Sequence, residues 1–251
     1  MDLMLASVHH QDMEHLSNSQ RIRAIAALAV TVFFWGAAFI AIRAVIVSDA
    51  LSPGQLSSAR LTLAAVALGA IVAVRGGVAL PRGRDWLSFV VLGVIGQAAY
   101  HLLLNAGERT VDGGTASLLV QVAPMIAAVS AVVFLGERLT TAGWVGSAIA
   151  FAGACVITLA PGASGGSAQG LALVALSTLL WAAYLVIQKS IAHRYDPLAL
   201  TAWPMWVGAV TLLPFSGGTV RALSIAPPST YIALVALGLG SSVIGFMTWA
   251  Y

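Results

Sequence analysis

Runs of about 20 apolar residues recur along this chain, and they constrain its fold more than any other feature. Such a run is long enough for an α-helix to cross the hydrocarbon core of a bilayer. Strand-like alternation of apolar and polar residues is absent, so the runs indicate helices rather than a closed barrel. The fold class is therefore an all-α integral membrane protein, a polytopic helical bundle. Eight transmembrane helices are predicted, at residues 24–47, 55–74, 86–106, 114–135, 142–160, 170–191, 198–214 and 229–251.

The composition excludes a soluble globule and most nucleic-acid binders. Only 8% of the residues are charged and 59% are hydrophobic, whereas a soluble domain carries about a quarter charged residues. The net charge is +3, but the 12 Lys and Arg residues form no cluster on a polar segment. We therefore predict a lipid bilayer as partner and no nucleic acid.

The basic residues predict the orientation of the chain. With the N-terminus in the cytoplasm, eight of them lie inside and two outside, which agrees with the positive-inside rule. Arg43 and Arg60 fall within spans near their outer ends, where they either anchor the helix by reaching the headgroups or steer an anion. The inside residues are Arg21, Arg23, Arg75, Arg82, Arg84, Arg138, Lys189 and Arg194, and the outside ones are Arg109 and Arg221.

Two polar segments flank or divide the apolar runs. Residues 1–23 form a polar tail, predicted to be cytoplasmic, and its first 20 residues lack the design of a cleaved signal peptide. The tail histidines, His9, His10 and His15, match no metal-site spacing. Residues 161–169 are rich in Gly and Ser but lack the Lys-Ser/Thr of a phosphate-binding loop, so they are interpreted as a linker.

The chain also contains an internal repeat. A shift of 146 residues aligns Trp35 with Trp181, a shift of 144 aligns Pro53 with Pro197, and a shift of 145 aligns the third span with the eighth. The first unit, 24–160, has five spans, so a second copy enters the membrane from the opposite side, which is an inverted repeat. The second unit, 170–251, holds three spans, so we expect about 50 residues and two of ten spans to be missing.

Short motifs in this order resemble the EamA type of the drug/metabolite transporter superfamily, over everything after Arg23. The resemblance implies a ten-span secondary transporter that exports or exchanges amino acids, other metabolites or drugs across the bacterial inner membrane, through a cavity between two repeats. The absent ninth and tenth spans depart from the family. The motifs are Phe34-Trp35-Gly36, Pro53 with Arg60, Pro124 ahead of Leu135-Gly136-Glu137-Arg138-Leu139, and Trp181-Ala182-Ala183-Tyr184.

Polar side chains recur at helical spacing in three spans, so that each span carries a polar stripe on one face, and the three stripes predict a shared polar interior. The stripes are Gln97, Tyr100, His101 and Asn105 in the third span, Ser117, Gln121 and Pro124 in the fourth, and Ser177, Trp181, Tyr184 and Gln188 in the sixth. This interior is either a substrate pathway or a set of interhelical hydrogen bonds, which are worth about 0.6 kcal/mol each. Lys189 joins Arg43 and Arg60 as a possible steering or anchoring charge. The candidate pathway residues are Trp35, Gln97, Tyr100, His101, Asn105, Ser117, Gln121, Pro124, Trp181, Tyr184 and Gln188.

The acidic residues argue against an enzyme and against a carboxylate proton relay. All nine lie in loops, tails or helix ends, and no convergent pair is left for catalysis. His101 is then the one intramembrane group expected to titrate near neutrality. We predict a small-molecule substrate and no cofactor or metal, and a homodimer stays open. The alternatives are a membrane scaffold or partner subunit and, less favoured, a membrane-embedded enzyme.

Reporter fusions test the orientation. Fusions after Arg84 and Thr141 are expected to behave as cytoplasmic, and fusions after Ala50 and Ser167 as external, because basic loops stay inside. The measurement is alkaline phosphatase activity against fluorescence of a cytoplasmic reporter at each site. An external signal at residue 84 would contradict the orientation and the inverted repeat together.

Overall fold

The computed structural model describes residues 17–136, 140–158 and 166–251 of the 251-residue chain. The tail histidines, the turn Glu137-Arg138-Leu139 and most of the predicted linker lie outside the described residues. Within the described residues the chain is entirely helical. This agrees with the predicted class, a polytopic helical membrane protein.

Eight helical segments correspond in position to the eight predicted spans. Seven of them are long and apolar enough to cross a membrane, and the segment at Thr141–Thr158 is not among those seven. The predicted count of eight spans is therefore not confirmed. The segments are α1 (Asn18–Val47), α2 (Pro53–Arg75), α3 (Asp85–Gly107), α4 (Gly113–Val120 with Ala123–Leu135), α5 (Thr141–Thr158), α6 (Ala168–Ala192), α7 (Pro197–Leu212) and α8 (Pro228–Trp249).

Capping residues explain why α2 and α7 begin where they do. Ser52 precedes α2 and forms a capping box with Gln55, so that two otherwise unpaired backbone N–H groups are satisfied. Asp196 precedes α7 and accepts a hydrogen bond from the Ala199 N–H. Each cap is followed by a proline at the first helical position, where no N–H is needed.

Helix α4 is interrupted directly before a proline. The segment Gly113–Val120 ends at a turn formed by Gln121 and Val122, and the second segment starts at Ala123. Pro124 lacks the N–H that would continue the hydrogen-bond ladder to Val120. The proline therefore separates the two segments beside the interior of the bundle.

Two helices contain long π-helical segments, in which hydrogen bonds run from i to i+5. They are Leu92–Ala99 in α3 and Ala236–Gly245 in α8. A π segment holds more residues per turn than an α-helix, so side chains after it are rotated from the faces that a 3.6-residue period predicts. This rotation changes which predicted polar residues share a face.

Neighbouring helices also pack closely on the π segments. Helix α7 packs on the α3 segment at Gly93, where a methyl group would overlap Val207 and lie 2.9 Å from the Pro204 carbonyl oxygen. Helix α2 packs on the α8 segment at Gly238, where a methyl group would lie 2.7 Å from Leu63. Lipid supplies no hydrophobic force between helices, so such close van der Waals contacts hold the bundle together.

Adding one methyl group at Gly93 tests this packing. We expect Gly93→Ala to lower the free energy of unfolding by about 1–3 kcal/mol, because a branched side chain and a backbone oxygen must move. Gly69→Ala in α2 is the matched control, since nothing lies within 4 Å of the added carbon and alanine favours the helix by about 0.5–1 kcal/mol. Thermal unfolding in detergent is the measurement, and equal stability of the two variants would contradict the close contact.

Candidate functional site

A cavity of about 830 Å³ lies between α1, α2, α3, α4, α6 and α8. Its volume falls within the range of small-molecule sites, about 300–1,000 Å³. Most of its wall is apolar, and the described residues that line it include no carboxylate. Arginine supplies the only permanent charges in that described lining, at Arg43 and Arg60.

The structure brings seven of the eleven predicted pathway residues to this cavity. They come from four helices, α1, α3, α4 and α6, so the predicted stripes do converge on one space. Arg43 and Arg60 also line it. The seven are Trp35, Tyr100, His101, Ser117, Gln121, Pro124 and Trp181.

Gln97 and Asn105 are fully buried but do not line the cavity. Both were expected on one face with Tyr100 and His101, but Gln97 lies in the π segment and packs against Gly208 of α7. Asn105 donates a hydrogen bond to the Ser57 hydroxyl at 2.8 Å. The predicted four-residue stripe is therefore divided between the cavity and contacts among helices.

Tyr184 and Gln188 also lie behind the cavity wall. The ring of Tyr184 stacks on Trp181 with centroids 4.8 Å apart. Gln188 donates to the Tyr184 hydroxyl at 2.8 Å and accepts a hydrogen bond from the indole of Trp249 at 3.1 Å. Gln188 and Lys189 instead line a second pocket of about 380 Å³, which shares Pro124 and Trp249 with the first.

Aromatic rings form one wall of the main cavity. The Trp35 ring contacts Trp181 at a centroid distance of 5.3 Å, Phe246 at 5.3 Å and Trp249 at 5.5 Å. Tyr100 continues the cluster, 5.2 Å from Trp181. The Trp35–Trp181 and Trp35–Phe246 pairs meet edge to face, and such pairs are worth about 0.5–1.5 kcal/mol beyond burial, so the wall is a closely packed apolar surface.

Arg60 is the charge at the base of this wall, and it is only 2% exposed. Its guanidinium donates to the hydroxyl of Ser241 at 3.1 Å and to that of Ser242 at 3.1 Å. No carboxylate in the described parts of the chain forms an ion pair with it. Arg60 therefore does not reach the headgroups as an anchor would, and its charge stays unneutralised inside the bundle.

Arg43 holds the loop that follows α3 against the bundle. It donates hydrogen bonds to the carbonyl oxygens of Glu108 and of Val111, the second at 3.0 Å. Glu108 is 0% exposed as a result. Glu108 lies at a helix end, as predicted, but its side chain is buried there, because Arg43 and the close approach of Gly107 to α6 hold the end of α3 against the bundle.

Sequence reasoning missed the residues that α8 supplies to the site. Ser241 is not among the predicted pathway residues, yet it binds both Arg60 and, through its carbonyl oxygen, the Trp35 indole at 3.3 Å. Phe246 and Trp249 complete the aromatic wall. No local motif marks them, since they meet α1 and α2 from about 200 residues away in the chain.

The profile of the EamA-like transporter family matches residues 22–159 and 168–251. The chain belongs to this family. A probable terminal-alkyne amino-acid exporter of Streptantibioticus cattleyicolor is 41% identical over 229 residues, 91% of this chain and 76% of that protein. An uncharacterized transporter of Archaeoglobus fulgidus is 34% identical over 224 residues, 89% of this chain and 78% of its own length.

A solved crystal structure agrees with the fold. It aligns with a TM-score of 0.61 at 22% identity, over 88% of this chain and 78% of the other. Family and relatives together confirm the predicted function, a secondary transporter rather than an enzyme.

Substitutions at Gln121 and Gln97 distinguish a residue that lines the cavity from one that packs between helices. We expect Gln121→Met to change the rate or selectivity of transport with little effect on stability, because Gln121 is exposed in the cavity wall. We expect Gln97→Met to leave transport unchanged, because Gln97 does not line the cavity and packs against Gly208 of α7 between the helices. Flux in proteoliposomes and thermal unfolding are measured for both, and the reverse result would place the pathway elsewhere.

Proposed function

We propose that this protein exports a small metabolite with an anionic group and an apolar body, of the amino-acid type, across the bacterial inner membrane. The substrate passes through the main cavity, in contact with the seven pathway residues that line it. The N-terminus lies in the cytoplasm, as the distribution of basic residues predicts. Arg43 and Arg60 then lie toward the outer half of the membrane.

The observation that carries this proposal is the unneutralised charge of Arg60. A buried cation is costly unless it is paired, and the two serine hydroxyls that accept hydrogen bonds from Arg60 carry no charge to balance it. A carboxylate ligand would supply the missing charge and accept two parallel hydrogen bonds from the guanidinium. The absence of carboxylates from the described cavity lining favours the same ligand.

The aromatic wall defines where the rest of the ligand lies. Ser241 accepts from Arg60 through its hydroxyl and from Trp35 through its carbonyl oxygen, so the charge and the wall meet at one residue. A ligand whose anionic group binds Arg60 therefore has its body against Trp35 and Trp181. An ammonium group in the same ligand is favoured over the face of an indole.

The relatives support an amino acid and an outward direction. The Streptantibioticus protein carries the description of a probable amino-acid exporter, and 91% of this chain aligns with it. An amino acid with an apolar side chain has the carboxylate, the ammonium and the apolar body that the cavity accommodates.

Reciprocal packing supports the proposal that the chain contains two inverted repeats. Gly93 of α3 contacts Val207 of α7, and Gly238 of α8 contacts Leu63 of α2. The repeat shift of 145 residues takes Gly93 to Gly238, and the shift of 144 residues takes Leu63 to Val207. The two contacts are therefore equivalent under the repeat. Trp35 and Trp181, which the shift of 146 relates, contact each other in the cavity wall. Both π segments also occupy related positions.

Changing Arg60 tests the proposed function. We expect Arg60→Gln to weaken the apparent affinity for norvaline roughly 10- to 100-fold, because a charge-assisted hydrogen bond is worth about 1.5–3 kcal/mol. The measurement is counterflow of radiolabelled norvaline into proteoliposomes loaded with unlabelled norvaline. Norvalinamide, which lacks the anionic group, should not compete in the wild type.

Arg75→Gln is the matched control for this experiment. Arg75 is exposed, 3.6 Å from Asp196 in a surface ion pair, and such pairs contribute about 0–1 kcal/mol. We expect its counterflow to equal that of the wild type. Full norvaline counterflow in folded Arg60→Gln, or strong competition by norvalinamide, would refute an anion site at Arg60. A folded wild type without flux for any amino acid tested would favour the scaffold.

A further inference from the structure

We propose that Glu108 is a proton-binding site linked to the anion site at Arg60, so that an anionic ligand binds together with a proton. The linkage rests on the proposed function, whereas the proton site itself does not. From the sequence alone, His101 is the one group inside the membrane expected to bind or release a proton near neutral pH. The buried carboxyl of Glu108 is a second candidate for proton binding.

Local packing determines the burial of Glu108. The residue directly follows α3, and its neighbour Gly107 packs so closely on α6 that an added methyl group would meet Val174 and the Gly170 carbonyl oxygen. Arg43 of α1 binds the Glu108 carbonyl oxygen from the other side. The side chain is thereby enclosed between helices, with 0% exposure.

Both carboxyl oxygens of Glu108 are buried without a hydrogen-bond partner among the described residues. An ionised carboxylate in this position would lose its hydration and gain no donor in return, at a cost of several kcal/mol. Taking up a proton removes that cost. The neutral acid is thus the stable form of Glu108 while no cation approaches it more closely.

The charged groups around Glu108 come from two helices and from the loop between α3 and α4. Arg43 of α1 and Arg60 of α2 favour the ionised form, and Asp112 before α4 opposes it. Helix α6 contributes only the uncharged Gly170 and Val174 at its contact with Gly107. On α3 itself, the titratable side chains of Tyr100 and His101 lie in the cavity wall.

Burial is the largest effect on the Glu108 carboxyl and raises its pKa to about 9, although Arg43 and Arg60 pull in the opposite direction. Asp112, four residues later, behaves differently. Burial alone would raise its pKa, but hydrogen bonds from the hydroxyl and the N–H of Thr115 outweigh burial and lower it. Glu108 lacks such donors, so it binds a proton near neutral pH where Asp112 does not.

Arg60 connects the two sites electrostatically. Its positive charge lowers the proton affinity of Glu108, and an anion bound to Arg60 offsets that charge. Ligand binding therefore raises the pKa of Glu108, and by linkage the ligand binds more tightly to the protonated protein. Conversely, a negative charge on Glu108 would offset the charge of Arg60 and so weaken the binding of an anionic ligand. The two effects are reciprocal, as linkage requires.

Infrared spectroscopy of the full chain in lipid tests the proposal. We expect a band of a buried protonated carboxyl at pH 7 that disappears as the pH is raised from 7 to 10.5, and we expect saturating norvaline to move this midpoint upward. Each unit of upward movement corresponds to tenfold tighter norvaline binding by the protonated form. Glu108→Gln should lack the band and show no ligand-dependent titration.

Two further variants provide the controls. Glu108→Asp keeps a titratable group and should retain a band, whereas Asp49→Asn removes an exposed carboxylate and should leave the band unchanged. Loss of the band in Asp49→Asn, or its persistence in Glu108→Gln, would overturn the proton site. A midpoint that bound norvaline does not move would overturn the linkage. If the band behaves as expected but norvaline neither binds nor exchanges, the proposed substrate is wrong and the proton site stands.

Discussion

The absence of water from the bilayer core is the constraint on which the rest of this structure depends. Backbone groups must pair within each helix, and helices gain little by hiding apolar surface from equally apolar lipid. Cohesion then depends on close approach, which glycine permits at Gly93 and Gly238. Because both contacts fall in π segments, the irregular parts of α3 and α8 are also places where neighbouring helices pack closely.

The same constraint explains the polar groups of the interior. Arg60 and Glu108 are buried in one bundle, yet the Arg60 guanidinium is bonded to serines, and the Glu108 carboxyl has no hydrogen-bond partner among the described residues. A direct ion pair would satisfy both residues and leave neither charge for a ligand. Their separation preserves an unneutralised cation beside the cavity and a protonatable group behind it, at the cost of some stability.

Sequence reasoning predicted the helices well because length and apolar composition alone decide whether a segment spans a membrane. It also predicted Tyr100 and Trp181 in one interior, since the helical period places each of them on a polar stripe. It failed where the period changes: the π segment moved Gln97 away from Tyr100. It also failed for Ser241 and Glu108, because their environment depends on contacts between distant helices, and a helix end gives no sign of its burial.

The π segment of α8 connects packing with recognition. Within one segment, Ser241 presents a hydroxyl to Arg60 and a carbonyl oxygen to Trp35, while the carbonyl of Gly245 accepts from Thr31 at 3.3 Å. A regular α-helix directs its carbonyl groups along its own axis to the next turn, and wider π turns occur frequently at functional sites. Any movement of α8 against α1 and α2 during transport would change the hydrogen bonds of Ser241 to the Trp35 indole and to the Arg60 guanidinium together. A ligand bound at Arg60, as proposed, would then be released by the same movement that opens the cavity.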